Sequence, residues 1–519
     1  MEKTFCIAGP IQPEKHYHLP FRFDERVLLD LIEAEKYFIL HAPRQSGKTT
    51  AMRLFVDRLN ASGNYKAFYI NIEAAQTARS NVFTAMTAII DSIENAINIT
   101  FGMHDPSLAS IAHKKTPTDM SGKDLEQFLR VFTKTSTIPT VVFIDEIDAL
   151  VGDSLLSVLR QLRSGYAERP KNFPQSACLI GVRDVRDYRI YSEHDKQFIL
   201  GGSAFNVKAE SLTMEDFSPQ EIETLYQQHT TATGQQFTSE AISYAFEQTQ
   251  GQPWLVNALA YQACFRDVKN RAEPITLEVM ERSREALVLR QDTHLDALID
   301  KLSEERVRNI IDAIISGNME PKSFPPDDIQ YTKDLGMLNR SSRGLEIANQ
   351  IYQDVFPRAL VSSLIQTIHQ KTIWYVNPDK TLNVPKLLQA FTEFYREHAD
   401  ILFAEQPYKE AAPHLFLLAF LQRIINGGGN IHREYAIGRG RVDLMISFGG
   451  KRFVIEIKIY RDTNTLSKGL LQTAEYMRTA GITDGHLVIF DRRVGKTWEE
   501  KIFHKVETVG DCTLQIWGM

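Results

Sequence analysis

The sequence predicts a multi-domain α/β chain, and three features predict it. Over the first 210 residues, short apolar runs alternate with helical patterns. A glycine-bearing loop, Ala42-Pro43-Arg44-Gln45-Ser46-Gly47-Lys48-Thr49-Thr50, stands between one such run and a helix. Near the C-terminus, the runs Arg441–Ser447 and Arg452–Ile457 flank the turn Phe448-Gly449-Gly450-Lys451.

The runs Tyr37–Ala42, Ala67–Ile72, Thr140–Asp145 and Ala177–Val182 have the length and composition of buried parallel strands. Helical patterns lie between them at Thr49–Leu59, Val82–Ile97, Lys123–Thr133 and Leu155–Ser164. This alternation predicts a doubly wound core over residues 1–212. Strand signals fade over 213–298, where a helical lid is expected. Ser218-Pro219-Gln220-Glu221 marks a helix start, because serine caps, proline fits the first turn and an acidic residue follows. Ser239 opens a second helix and Trp254–Phe265 forms a third. Residues 299–367 read as helix, helix, turn and hairpin, an order that resembles a winged helix and includes Ile347-Ala348-Asn349-Gln350-Ile351-Tyr352. Residues 368–383, with Asn377-Pro378-Asp379, read as a linker. Residues 384–519 read as helices, two strands, a helix, a strand and a tail.

Composition sets outer limits. Hydrophobic residues make up 43% of 519 and charged residues 24%, which excludes a mainly disordered chain. No apolar run approaches the roughly 18 residues that cross a bilayer. The N-terminus shows no basic-then-apolar leader, so a cytoplasmic protein with no membrane partner is expected. Cys6, Cys178, Cys264 and Cys512 lie far apart, which predicts buried thiols rather than a disulfide framework or a zinc site. Net charge is −6, against a generally basic nucleic-acid binder. The average hides a split: Thr381–Met519 carries 18 Lys and Arg against 16 Asp and Glu, a net of +2, leaving −8 for the rest.

The loop after Tyr37–Ala42 has the chemistry of a phosphate cradle. Gly47 lets backbone N–H groups approach phosphate oxygens, and Ala42 at the first position only turns the chain out of the strand. Lys48 supplies charge for the β- and γ-phosphates, Thr49 a hydroxyl for Mg²⁺, and the helix N-terminus favours an anion. Val141–Asp148, VVFIDEID, is a buried strand that ends on two carboxylates. Asp145 stands where it can hold Mg²⁺ through water, and Glu146 where it can polarise an attacking water.

These stretches resemble the prokaryotic AAA-like ATPases related to AAA+ and STAND proteins, within the additional-strand class of P-loop ATPases. HAPRQSGKTT resembles that family's P-loop, in which Arg44 and Gln45 also recur, and FIDEID resembles its Walker B strand. The resemblance implies a nucleotide site of Arg44, Gln45, Ser46, Gly47, Lys48, Thr49, Thr50 and Asp145, with Glu146 catalytic and Thr49 and Asp145 at the metal. Leu179–Tyr188 falls where sensor-1 lies, which makes Arg183 a candidate for the γ-phosphate or else a surface arginine. Gly251-Gln252-Pro253 resembles the GxP motif of the lid; Pro253 either packs near adenine or simply opens a helix. Arg160 and Arg163 read as solvated helix charges, with an arginine finger acting in a neighbouring copy as the alternative.

The C-terminal pair of runs brings Asp443 toward Glu456, with Lys458 on the same strand face as Glu456. Two carboxylates and a lysine suit metal-assisted phosphodiester hydrolysis, since oxygen ligands hold Mg²⁺ and the cation sits near the nucleophile. The set resembles the PD-(D/E)xK nuclease superfamily, without the proline before the aspartate. The resemblance implies Asp443, Glu456 and Lys458 as catalytic, Asp443 and Glu456 as metal ligands, and Glu410 and Gln472 as accessory residues, Gln472 forming a Q-x-x-x-Y pair with Tyr476. Together the resemblances imply an ATP-binding and ATP-hydrolysing protein coupled to a Mg²⁺-dependent nuclease. They imply a nucleic-acid partner (DNA more readily than RNA), a homo-oligomer, and a role in genome defence or mobile-element control. The alternative is an ATPase switch or scaffold whose nuclease-like domain binds nucleic acid without cutting.

Overall fold

The computed structural model describes residues 2–519 apart from 20–21, 103–121, 186–187, 193–195, 291–292, 316–323, 342–343, 361–374, 378, 405–415, 419, 422–428, 438–439, 461, 463, 492 and 494. It divides into two compact units. The first is Met1–His294 with Pro326–Arg343 and Ala348–Gln350; the second is Leu295–Pro325, Gly344–Ile347 and Ile351–Met519.

The first unit is built on a five-stranded parallel sheet of β1 (Tyr37–His41), β2 (Lys66–Asn71), β3 (Thr140–Asp145), β4 (Ser176–Gly181) and β7 (Lys208–Thr213), in the order β2-β3-β4-β1-β7. Strand β4 therefore lies between β1, which leads into the phosphate loop, and β3, which carries Asp145. Every residue of β3 and β4 is buried, because helices cover both faces. On one face, α1 (Glu25–Glu33) and α2 (Lys48–Ala61) pack Leu28, Phe55 and Leu59 against Phe38, Phe143 and Cys178. On the other, α3 (Val82–Phe101), α4 (Asp124–Lys134) and α5 (Gly152–Ser164) pack Ile89, Phe128 and Leu159 against Ile39, Phe68 and Ile144. The four expected strands and four expected helices are all present, within a few residues of their expected bounds.

Three strands went unforeseen. β5 (Arg189–Ser192) and β6 (Gln197–Leu200) form a two-stranded sheet of their own among the described residues, and β7 reads KAESLT, too polar to stand out from a loop. β7 is an edge strand, and an edge does not need the continuous apolar run of a central one.

Helices α6 (Pro219–Thr233), α7 (Ser239–Thr249), α8 (Pro253–Tyr261) and α9 (Leu277–Arg290) form the helical segment. α6 starts as the sequence predicts: the Ser218 hydroxyl accepts from Glu221 N–H at 3.2 Å, and the Glu221 carboxylate accepts from Ser218 N–H at 2.8 Å. Such a box contributes about 1 kcal/mol. The core here holds Ile222, Tyr226, Val256 and Cys264, and it also takes in Phe5 and Tyr17. The N-terminal stretch, placed within the 1–212 core by sequence, thus packs with the helical segment.

The stretch 299–367 is not a unit by itself. Helix α11 (Glu305–Ile315), reached through α10 (Thr293–Lys301), falls in the second unit, whereas α12 (Pro326–Asp334) falls in the first. The reason lies in contacts: Asp334 pairs with Arg183, and Gly336 lies so close to Pro43 that a Cβ there would meet its ring at 2.8 Å. The strands β8 (Leu338–Ser341) and β9 (Gly344–Ile347) and helix α13 (Gln350–Leu360) follow.

In the second unit, α14 (Val384–Ala404) precedes a six-stranded sheet. Its strands are β10 (Asn430–Ile437), β11 (Gly440–Phe448), β12 (Lys451–Ile459), β13 (Gly485–Phe490), β14 (Phe503–Val509) and β15 (Cys512–Gly518), ordered β10-β11-β12-β13-β15-β14. β10, β11 and β12 form an antiparallel meander. Helix α15 (Asn464–Ala480) then carries the chain to β13, which runs parallel to β12. α14 packs Leu387, Leu388 and Phe391 on the face of Ile455 and Ile457, and α15 packs Leu470, Ala474 and Met477 on the face of Leu487 and Ile489. The expected tail is an antiparallel pair, β14–β15, and β10 was not expected at all. Five of the seven residues of β14 are exposed, so its sequence FHKVETV carries no burial pattern. All four cysteines are free and buried, and among the described residues no helix is long and apolar enough to cross a membrane.

Gly251 offers a test of the lid packing. It sits at φ 80°, and a Cβ there would lie 2.0 Å from the Phe217 carbonyl oxygen. Gly234 shares the conformation, at φ 82°, with nothing within 4 Å. Gly251→Ala should cost more than about 3 kcal/mol, and Gly234→Ala about 1 kcal/mol. Chemical denaturation followed by tryptophan fluorescence measures the difference.

Candidate functional site

The phosphate loop runs from the end of β1 to the start of α2. Gly47 adopts φ 96° and Gln45 φ 58°, so both curl the loop backbone. Gly47 needs its glycine for that angle, since nothing but the Met214 methyl, at 3.9 Å, approaches its missing Cβ. Lys48 is buried, and its ammonium donates to the carbonyls of Ala42 (2.7 Å) and Pro43 (2.8 Å). Burial pulls the ammonium below its usual range, while Asp145, Glu146 and Asp148 oppose the shift. The Ser46 hydroxyl is buried, with no hydrogen-bond partner among the described residues. An orphaned donor beside a buried cation is what a loop shaped for an anion leaves behind. Arg44 and Gln45 are exposed, and Thr50 accepts from Ile11 N–H at 3.3 Å.

Asp145 is 1% exposed at the end of β3. Its Oδ2 accepts from Thr49 Oγ1 at 2.7 Å and also from Tyr69 Oη; its Oδ1 accepts from Glu146 N–H at 2.8 Å. Thr49 and Asp145 therefore meet as expected for residues flanking one metal ion. Glu146 takes φ 61°, an uncommon conformation for a residue with a side chain. Burial and the adjacent Asp145 raise its carboxyl above the usual range. The residues fit ATP with Mg²⁺: a phosphate-shaped loop, an orphaned hydroxyl, a buried ammonium, and a hydroxyl–carboxylate pair.

Arg183 lies in the loop two residues past β4. Its guanidinium pairs with Asp334 at 3.1 Å and lies over the Tyr331 ring at 5.1 Å. Pro253 is buried as the first residue of α8, where Gln252 caps the helix through Leu255 N–H. Arg160 is exposed on α5, and Arg163 donates to the Ser203 carbonyl. Sequence reasoning missed three contributors. Tyr69 reaches Asp145; Asp148 accepts from Val182 N–H and from the Tyr188 hydroxyl; Asp334 engages Arg183. Only Asp148 carried a signal, as the last residue of the DEID turn.

In the second unit, the β11–β12 ladder runs from Phe448↔Lys451 to Leu444↔Ile455. One residue further, main-chain pairing gives way to side chains. Asp443 Oδ2 accepts from Ile457 N–H at 2.7 Å, and Glu456 Oε2 lies 3.4 Å from Asp443 N. Glu456 is 1% exposed and pairs with the Lys458 ammonium at 2.6 Å. Burial, then Asp443, pushes the Glu456 carboxyl up to about 7. Burial works against the Lys458 charge, but Glu456 and Asp443 outweigh it and raise its pKa. Lys458 is thus an ammonium at neutral pH. Gln472 donates to the Tyr476 hydroxyl at 2.8 Å, and Tyr476 acts electrostatically on Lys458. Asp443, Glu456, Lys458 and the Gln472–Tyr476 pair gather on the face that α15 covers. Glu410 lies outside the described residues. Among those described, no group of three or more His, Cys, Asp or Glu side chains is gathered, and at this site the described carboxylates are Asp443 and Glu456.

The family model of the "ATPase family associated with various cellular activities (AAA)" matches residues 38–173. Residues 38–173 form an AAA ATPase domain. The phosphate loop, Asp145 and Glu146 all lie inside it. A second model, "Domain of unknown function (DUF8371)", matches residues 390–493, which include Asp443, Glu456, Lys458, Gln472 and Tyr476. Among curated proteins no relative matches. Among solved structures, the chain is similar to a Walker-type ATPase of Pyrococcus abyssi (14% identity, 68% of this chain and 99% of that one, TM-score 0.48). It is also similar to the ORC2 protein of Aeropyrum pernix (13%, 66% and 92%, TM-score 0.38). A third likeness is to the RuvB Holliday junction branch migration motor of Thermotoga maritima (13%, 64% and 94%, TM-score 0.34).

For the AAA domain, Lys48→Ala should reduce ATP binding at least tenfold, because the remaining loop has no buried cation for the phosphates. Glu146→Gln should keep binding and lose hydrolysis. Fluorescent-nucleotide titration and phosphate release separate the two.

Proposed function

We propose that the chain is an ATPase coupled to a nuclease: the AAA domain binds and hydrolyses ATP with Mg²⁺, and the C-terminal unit cuts DNA, in preference to RNA. One observation carries the nuclease reading. Two carboxylates and a lysine converge where the β11–β12 ladder ends, on a meander followed by a helical crossover to a parallel strand.

In the AAA domain, the loop N–H groups and Lys48 hold the phosphates. Thr49 and Asp145 are the residues that would hold Mg²⁺, which when bound offsets phosphate charge. Glu146 orients the attacking water and takes up its proton, a role its raised pKa favours. Arg183 and Pro253 belong to the same nucleotide site in this reading, through the γ-phosphate and the adenine.

In the C-terminal unit, Asp443 and Glu456 would hold Mg²⁺, and the bound ion supplies a more acidic water and a less repulsive phosphodiester. The geometry sharpens the role of Lys458. An ammonium held by Glu456 and Asp443 cannot take a proton from water. It donates to the phosphate oxygens as negative charge builds on them. In this reading Gln472 and Tyr476, joined on α15, are accessory residues of the site.

Incubating the full chain with plasmid DNA, ATP and Mg²⁺ tests the reading. Wild type should nick or linearise the plasmid, and Asp443→Ala and Lys458→Ala should lose at least a hundredfold in rate. Equal cutting by all three sinks the site assignment. DNA binding that survives in all three without cleavage by any favours a scaffold. A pH series gives a second check. A carboxyl titrating at about 7 holds its proton below that pH and must release it to a cation. Mn²⁺ binding at this site, followed by electron paramagnetic resonance in Lys48→Ala, should therefore strengthen from pH 6 to pH 8.

A further inference from the structure

We infer that Tyr69 is a positioning residue for the metal half of the nucleotide site. It holds the Asp145 carboxylate in the orientation that Thr49 and a Thr49-bound cation require. The inference rests on the ATP–Mg²⁺ reading above.

The placement follows from the strands. In the parallel register Tyr69 lies beside Phe143 and Asn71 beside Asp145. Alternation puts Tyr69, Phe143 and Asp145 on one face of the sheet, the face that α2 covers. Tyr69 thus stands two residues short of the strand end, about 6.6 Å back at the rise of a strand, a span that its phenol covers. The hydroxyl arrives at Asp145 Oδ2, the same oxygen that accepts from Thr49 Oγ1 at 2.7 Å. With Glu146 N–H on Oδ1, three donors from three elements hold one buried carboxylate. The ring packs at the margin of the cluster around Phe55 and Phe143, which keeps the phenol aimed.

Without Tyr69, Oδ2 would keep the Thr49 hydroxyl and Oδ1 the Glu146 N–H. The phenol adds a second donor on Oδ2 itself and pins that oxygen against Thr49, so Thr49 presents its oxygen lone pairs in a fixed direction. A phenylalanine could fill the same space but could not donate. No other side chain donates to Asp145 Oδ2 among the described hydrogen bonds.

The test separates the hydroxyl from the ring. Nucleotide affinity of the full-length protein is measured with a fluorescent ATP analogue, first with EDTA and then across a Mg²⁺ series. A Mn²⁺ titration by electron paramagnetic resonance follows, with Asp443→Ala in every background to silence the second site. Tyr69→Phe should bind ATP in EDTA as wild type does, and its Mg²⁺ and Mn²⁺ midpoints should rise threefold or more. Tyr69→Leu should shift those midpoints at least as far. If Tyr69→Phe keeps wild-type midpoints while Tyr69→Leu does not, the ring alone matters and the inference falls. Equal loss of EDTA and Mg²⁺ binding in Tyr69→Phe also overturns it, because a general packing defect then explains the residue. A wild type that ignores Mg²⁺ altogether would instead overturn the nucleotide-site reading and take this inference with it.

Discussion

The first unit is organised around one buried negative charge, the carboxylate of Asp145. A carboxylate 1% exposed is costly unless donors surround it, and here the donors cannot come from its own strand alone. One is the hydroxyl of Thr49, at the start of α2; another is the phenol of Tyr69, on β2; the third is the N–H of Glu146, in the turn that follows β3. For α2 to start near the end of β3, strands β1 and β3 must end at the same level of one parallel sheet. That sheet inserts β4 between them, and the buried strands and covering helices hold the register. The apolar core is thus the means by which three polar atoms from distant parts of the sequence meet at one oxygen pair.

The second unit handles a buried carboxylate differently. Glu456 is equally hidden but takes a single direct ion pair, with Lys458, and it faces Asp443 across an unzipped end of the β11–β12 ladder. Burial and a like charge together push its titration to about 7. An ion pair in low dielectric does not by itself stabilise a fold, because desolvation offsets the attraction. In the nuclease reading proposed above, such a pair makes a site whose charge changes on binding, because the carboxylate would exchange its proton and its lysine for a metal. With Glu456 and Asp443 beside it and no cation bound, Lys458 keeps its proton well into the alkaline range.

Much of this was legible in the sequence, for a physical reason that also marks the limit. The phosphate loop, the DEID turn and the D…E-x-K spacing depend on residues close together in the chain, and that closeness brings their side chains together. The same holds for the Ser218–Glu221 box. Tyr69 and Asp334 carry no such mark: each acts on a partner that only the tertiary fold brings near, 76 residues away for Tyr69 and 151 for Asp334. Strands β7 and β14 were missed because edges tolerate polar sequence. The division of the chain across 299–367 was missed because helix order does not say which surface a helix packs on. The acidic charge of the whole chain is the wrong scale for the nucleic-acid role proposed for one segment of net +2.

The nucleotide site ends in contacts with little slack. Asp148, in the turn after Asp145, accepts from Val182 N–H and from the Tyr188 hydroxyl. Gly181 lies so close that a Cβ there would meet the Asp148 carboxylate at 2.4 Å. The next residues carry Arg183, whose bond to Asp334 ties the loop to α12, and two residues beyond Asp334 the chain touches Pro43 of the phosphate loop. These contacts close a ring: phosphate loop, Asp145 turn, β4 loop, α12, and back. A rotation of the Glu146–Asp148 turn would have to displace Gly181 or break the Val182 bond, because interiors packed this closely do not deform gradually. The strained φ of Glu146 lies within that ring, at the residue proposed above to orient water. A conformation of that cost persists only where the surroundings over-determine it, and the ring supplies those surroundings.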